Sequence, residues 1–98
     1  MKQILVLFEF ENVSAAQYDA VWADLRATGY ANPAGAVFHV SAVKPNGGFR
    51  VVDVWESAEK FEAFGAVLMP LLAKHNIPTT QPDIKPVYWL KEQVAQMA

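Results

Sequence analysis

The sequence predicts an α+β fold in which a four-stranded antiparallel sheet carries two helices on one face. Three observations lead there. Four β-prone stretches and two helix-prone ones follow one another in the order βαββαβ. Each helix-prone stretch opens on a serine able to cap it, Ser14 and Ser57. The two middle strands are joined by a short proline- and glycine-rich turn, a connection that antiparallel neighbours use and parallel ones cannot.

The elements follow in order. Ile4 to Phe10 (ILVLFEF) is apolar at both alternating positions for most of its length, the pattern of a strand covered on both faces. In Val13-Ser14-Ala15-Ala16-Gln17-Tyr18, a cap serine is followed three residues later by glutamine, and Val13 and Tyr18 stand where a hydrophobic staple closes a first helical turn. Tyr18, Val21, Trp22 and Leu25 recur at helical spacing, with Gly29 as the stop. Ala36 to Val43 (AVFHVSAV) and Phe49 to Glu56 (FRVVDVWE) flank Lys44-Pro45-Asn46-Gly47-Gly48 and read as a hairpin. Ser57 opens a second helix with Phe61, Phe64, Leu68, Leu71 and Leu72 on one side. Pro70 is expected to kink it, and Asn76 and Pro78 to end it. Ile84 to Leu90 (IKPVYWL) is the last strand, and helix-prone 91–98 is expected to fray. No repeat, low-complexity run or linker interrupts 1–98, so a single domain of the split-βαβ, ferredoxin-like type is expected.

Helices on one face leave the other face of the sheet bare, yet Ile4 to Phe8 and Val51 to Trp55 are apolar on both faces. The apolar fraction, 53%, exceeds what the modest core of a 98-residue chain needs. A homodimer that buries sheet against sheet satisfies both facts. Eight basic and ten acidic residues leave a net charge of −2 with no basic block, which argues against nucleic acid and anionic membrane as partners. No apolar run reaches the length of a membrane span. Glu9 and Glu11 break the apolar start before it could serve as a signal-peptide core, so a cytoplasmic location is expected. With no cysteine, thiolate nucleophiles, disulfides, zinc knuckles and iron–sulfur sites are excluded.

Val54-Trp55-Glu56-Ser57 followed by Phe61 and Phe64, within a βαββαβ chain of this length, resembles the antibiotic-biosynthesis-monooxygenase-type domains of the dimeric α+β barrel superfamily. The resemblance is greatest to small members without known activity, which share the run GxxxHV, here Gly35 to Val40. It implies a dimeric α+β barrel and, for an active member, cofactor-independent oxygenation of polycyclic phenols or degradation of haem. Residue by residue the carry-over is partial. Phenol-oxidising members place beside the substrate the tryptophan of this strand, a tyrosine six residues later and an asparagine four residues earlier. Trp55 matches the first, whereas Phe61 and Val51 occupy the other two positions and offer no proton relay or oxyanion donor. Haem-degrading members use an asparagine on the first strand and an axial histidine on the second helix. His75 lies late on that helix but the first strand has no asparagine, so no haem and no other cofactor is expected.

The hairpin register decides what faces Asp53. If Pro45 and Asn46 centre a type I turn and Gly47 takes the left-handed position, Ser41 falls opposite Val51, His39 opposite Asp53 and Val37 opposite Trp55. A two-residue Asn46-Gly47 turn would instead set Asp53 opposite Val40. Paired, His39 and Asp53 form a candidate general base, or a holder for a ligand hydroxyl. The alternative is a buried polar pair that pins the register of a non-enzymatic interaction domain. Ser41 on the same face is weak support for a hydrolytic triad. Trp55, Trp22 and Trp89 with Phe61, Phe64 and Tyr88 are candidates to line a pocket for an apolar or aromatic small molecule between sheet and helices, against the alternative of plain core packing. His75 reads as a helix C-terminal residue rather than a ligand, and two histidines far apart with no matched carboxylates predict no metal site. Arg50 and Glu56 lie on the opposite face from Asp53, as solvent or interface charges.

Overall fold

A computed structural model describes residues 2–45 and 47–91. The order is β1 (Ile4–Glu11), α1 (Ala15–Ala27), β2 (Ala36–Val43), β3 (Gly48–Trp55), α2 (Ala58–Lys74) and β4 (Asp83–Pro86). The strands form one antiparallel sheet in the order β2-β3-β1-β4, the ferredoxin-like arrangement expected from the sequence.

The helix starts follow their caps. Ser14 accepts from the Gln17 N–H while the Gln17 side chain accepts from the Ser14 N–H, so two backbone donors that the first turn leaves free are satisfied reciprocally. Gln17 also donates to the His75 carbonyl at 3.0 Å, which ties the start of α1 to the end of α2. Ser57 caps α2 through the Lys60 N–H. The helix continues through Pro70 to Lys74, then stops at His75 and at Asn76, whose φ of 59° is left-handed. Gly29 lies two residues beyond the end of α1, also left-handed at φ 84°.

The hairpin adopts the three-residue loop. Gly47 N–H donates to the Lys44 carbonyl and Lys44 N–H to that of Gly48, with Gly47 at φ 94°; Asn46, at the centre of the expected turn, lies outside the described residues. The resulting register pairs Ser41 with Val51 and His39 with Asp53. One pairing differs from expectation. The strand shifts by one residue between Ala36 and Phe38, so Ala36, not Val37, stands opposite Trp55, and Val37 is the extra residue of a bulge.

β4 is shorter than the expected Ile84 to Leu90. Its ladder to β1 ends at the pairing of Pro86 with Ile4, the first residue of β1, and one further backbone bond, from Val87 N–H to the Gln3 carbonyl, closes it. Tyr88 and Trp89 therefore leave the sheet and are exposed, Trp89 at 76% and Tyr88 completely. The tail beyond Lys91 lies outside the described residues.

Alternation along the strands divides the sheet. Ile4, Val6 and Phe8 of β1 and Phe49, Val51 and Trp55 of β3 turn toward the helices and meet Val21 and Leu25 of α1 and Leu72 of α2 in the core. Leu5, Leu7 and Val52 turn to the open face, beside Phe38 and Val40, both close to half exposed; Val54 alternates to the same side but is already buried. At one end of that face Glu9 pairs with Arg50 and Lys44, and Glu11 with Lys44. The Lys44 ammonium, aided by Arg50, holds the Glu9 carboxyl below its ordinary range.

Candidate functional site

Between sheet and helices lies a cavity of about 470 Å³. Its walls are nearly all apolar: Phe8, Phe49 and Val51 from the sheet, Val21 and Leu25 from α1, Leu68 and Leu72 from α2. The Ala31-Asn32-Pro33 loop borders it. The volume is in the range of sites that enclose a small organic molecule. Among the lining residues no lysine or arginine occurs.

One polar chain interrupts this wall. β2 and β3, in the register that the Pro45–Gly47 loop sets, bring His39 Nδ1 to 2.6 Å from Asp53 Oδ1. The other carboxylate oxygen accepts from the Trp55 indole N–H at 3.3 Å. The other imidazole nitrogen, Nε2, is 2.9 Å from the Tyr18 hydroxyl, which the first turn of α1 carries over the sheet. With a neutral imidazole these contacts fix one arrangement of protons. Nδ1–H donates to Asp53, which accepts only, so Nε2 must accept from the Tyr18 O–H. Asp53 is largely enclosed, with a side-chain exposure of 14%, whereas His39 at 35% is reachable from outside.

The chain is held by packing as well as by hydrogen bonds. The Tyr18 ring stacks on Phe49 at 4.7 Å, and the Trp22 indole meets the imidazole edge-on at 5.1 Å. Trp55, only 2% exposed, packs its ring 5.4 Å from that of Phe64. Among the described residues no buried side-chain nitrogen or oxygen lacks a partner.

The structure brings together His39, Asp53, Trp22, Trp55 and Phe64 around the cavity. It sets Phe61 apart: that ring packs against Trp55 at 5.8 Å and Phe8 at 6.2 Å, behind the wall rather than in it. Trp89 and Tyr88 are outside, because β4 ends before reaching them. Ser41 faces the same side as His39 but does not border the cavity. Tyr18 is the polar member that sequence spacing concealed, since its place in the α1 stripe and in the staple with Val13 reads as packing. The available signal was its hydroxyl, a polar tip in an apolar stripe that needs a partner once buried.

A second histidine–carboxylate pair lies at the far ends of the helices. His75 Nε2 is 2.7 Å and Lys74 Nζ 3.0 Å from Asp24 Oδ2. The His75 contact, with Lys74, holds the Asp24 carboxyl below its ordinary range. This is a clamp between α1 and α2, away from the cavity lining. Among the described residues no three histidine, aspartate or glutamate side chains gather to hold a metal ion.

No family model matches the sequence, and no curated protein matches it significantly. Solved structures do. SnoaB, a cofactor-independent oxygenase from Streptomyces nogalater, superposes with a TM-score of 0.64 over 96% of this chain and 97% of that one, at 17% identity. A candidate antibiotic biosynthesis monooxygenase from Chloroflexus aurantiacus gives 0.58 over 93% and 96%, at 16% identity. Another, from Caulobacter crescentus, gives 0.57 over 92% and 90%, at 17% identity. The chain thus has the fold of antibiotic-biosynthesis-monooxygenase-type proteins along nearly its whole length. At this identity the likeness concerns the fold, and activity has to be argued from the site.

Proposed function

We propose that the protein binds a planar, hydroxylated aromatic molecule in the cavity between sheet and helices, and that the Asp53–His39 pair takes the proton of its hydroxyl. The observation that carries this reading is a His–Asp acid–base pair set into a nearly all apolar wall. Apolar walls bind and desolvate a ring system without fixing its charge. The imidazole, backed by a carboxylate, accepts a proton and keeps the resulting charge paired. The ionised phenol is an electron-rich arene that reacts with molecular oxygen. In a monooxygenation, phenol and O₂ give a quinone and water, with all four electrons from the substrate. This chemistry needs no cofactor, in keeping with the description of SnoaB, whose fold the chain shares. The working unit would be a homodimer, with the apolar face formed by Leu5, Leu7, Phe38, Val40 and Val52 covered by a second copy.

A second reading keeps the pair structural. Its support is the closure of the chain: Tyr18, His39, Asp53 and Trp55 satisfy one another without a ligand. Titration of the wild type and of Asp53→Asn with hydroxynaphthalenes, reading tryptophan fluorescence and oxygen uptake, separates the two. The binding reading predicts quenching of Trp22 and Trp55 in both proteins and oxygen consumption in the wild type alone. The absence of any fluorescence response from the wild type would leave the structural reading standing.

A further inference from the structure

We propose that Tyr18, rather than His39, is the group that meets the substrate hydroxyl, and that it passes the substrate's proton to His39. The inference rests on the reading of the cavity as a site for a hydroxylated aromatic and deepens it. Both imidazole nitrogens are already occupied: Nδ1 by Asp53 at 2.6 Å, Nε2 by the Tyr18 hydroxyl at 2.9 Å. A ligand proton reaches the ring only by displacing Tyr18 or by travelling through it. Displacement is disfavoured, because the Tyr18 ring lies flat on Phe49, 4.7 Å between centroids and 18° between planes, and Tyr18 sits in the first turn of a helix fixed by a complete capping box. Leaving that position would break the stack and unseat a residue of the capped first turn.

The phenol also has the chemistry a relay needs. Its oxygen donates its proton to Nε2 and still has lone pairs with which to accept another. Transfer then runs in two linked moves. The substrate O–H bond breaks as a new O–H bond forms on Tyr18, while the original Tyr18 O–H bond breaks as an N–H bond forms on His39 Nε2. Tyr18 is unchanged at the end and donates to the substrate oxyanion. The imidazolium faces the Asp53 carboxylate, whose other oxygen is held by the Trp55 N–H at 3.3 Å. The net charge is unchanged: a neutral ligand, a neutral imidazole and the Asp53 carboxylate become an oxyanion and an imidazolium–carboxylate pair, with no redox change in this step.

The test follows the ionisation of 2-naphthol bound to the protein, by its absorbance as a function of pH, with 2-methoxynaphthalene as the ligand that has no proton to give. In the wild type, bound naphthol is expected to ionise at least about one pH unit below the free compound, a tenfold gain in the oxyanion. Tyr18→Phe preserves the stack on Phe49 and removes the oxygen. It is expected to bind the methyl ether within about threefold of wild type, on apolar contacts alone, and to let naphthol ionise no more readily than it does in water, because the apolar wall disfavours the oxyanion. Substitution of 3-fluorotyrosine at position 18, a more acidic donor of nearly the same shape, is expected to lower the midpoint below that of the wild type. Naphthol ionising in Tyr18→Phe as in the wild type would overturn the relay and leave the cavity reading intact. An unshifted midpoint in the wild type, or one that fluorination leaves unmoved, would overturn it equally. A wild type that binds neither naphthalene would overturn the cavity reading and the relay together.

Discussion

His39 is held at both ring nitrogens, and its neighbours fix what each nitrogen does. Asp53→Asn replaces the acceptor that stabilises an imidazolium with a neutral amide. Oxygen uptake with a hydroxynaphthalene is expected to fall by about a hundredfold or more, while thermal unfolding shifts only by the worth of a weakened hydrogen bond, about 1–2 kcal/mol. Trp55 behaves oppositely. It is 2% exposed and packs on Phe61 and Phe64, so Trp55→Ala should cost about 3–5 kcal/mol, readable in a denaturant titration. The two residues also differ in how far the sequence disclosed them. The His39–Asp53 pairing followed from Pro45 and Gly47, because the loop they build sets the register. Tyr18 belongs to another element, and no spacing within the chain tells which strand residue a helix side chain will meet. Phe61 illustrates the converse: helical periodicity places it on the buried side of α2, but whether a buried ring borders a void or fills one depends on packing.

The elements owe their positions to a few strict local requirements. Gly48 opens β3 at φ 106°, and a Cβ there would lie 2.1 Å from the Phe10 carbonyl oxygen. Gly48→Ala combines that clash with a disfavoured backbone region. It should destabilise by about 2–3 kcal/mol or more, with loss of the His39–Asp53 register visible as altered tryptophan fluorescence. The α1–α2 clamp makes a prediction in pH. The Asp24 carboxyl is held below its ordinary value of 3.8 by His75 and Lys74. Its contribution to stability is therefore complete above that value and is lost as pH falls through it toward the lower folded-state value. Thermal scans should show an acid-side loss of stability that is smaller in Asp24→Asn. Glu9, lowered by Lys44 and Arg50, supplies a similar slope that remains in this variant. Element order, the two serine caps and β2 and β3 were legible because each rests on contacts within a few residues. The end of β4 was not: Val87 to Leu90 is as β-prone as a strand, and only the partner strand decides that pairing stops at Pro86.

At the scale of the whole molecule, a sheet with helices on one side leaves an apolar face whose neighbouring charges are already neutralised among Glu9, Glu11, Lys44 and Arg50. Such a face does not repel its own copy. Light scattering at about 10 µM, a concentration at which an interface of ordinary size is populated, is expected to give the mass of a dimer. Val40→Lys, which places a charge on that face, is expected to give a monomer with the fold intact by circular dichroism. The two layers meet on one side of the sheet, and the cavity between them is bordered by the Tyr18–His39–Asp53 chain. The most direct measurement is a crystal structure of the protein soaked with 2-naphthol. The account predicts the ring system inside the cavity, between Trp22 and Trp55, with its oxygen within hydrogen-bonding distance of the Tyr18 hydroxyl. A cavity closed by its own side chains, with naphthol absent or bound only on the outer surface, would contradict it.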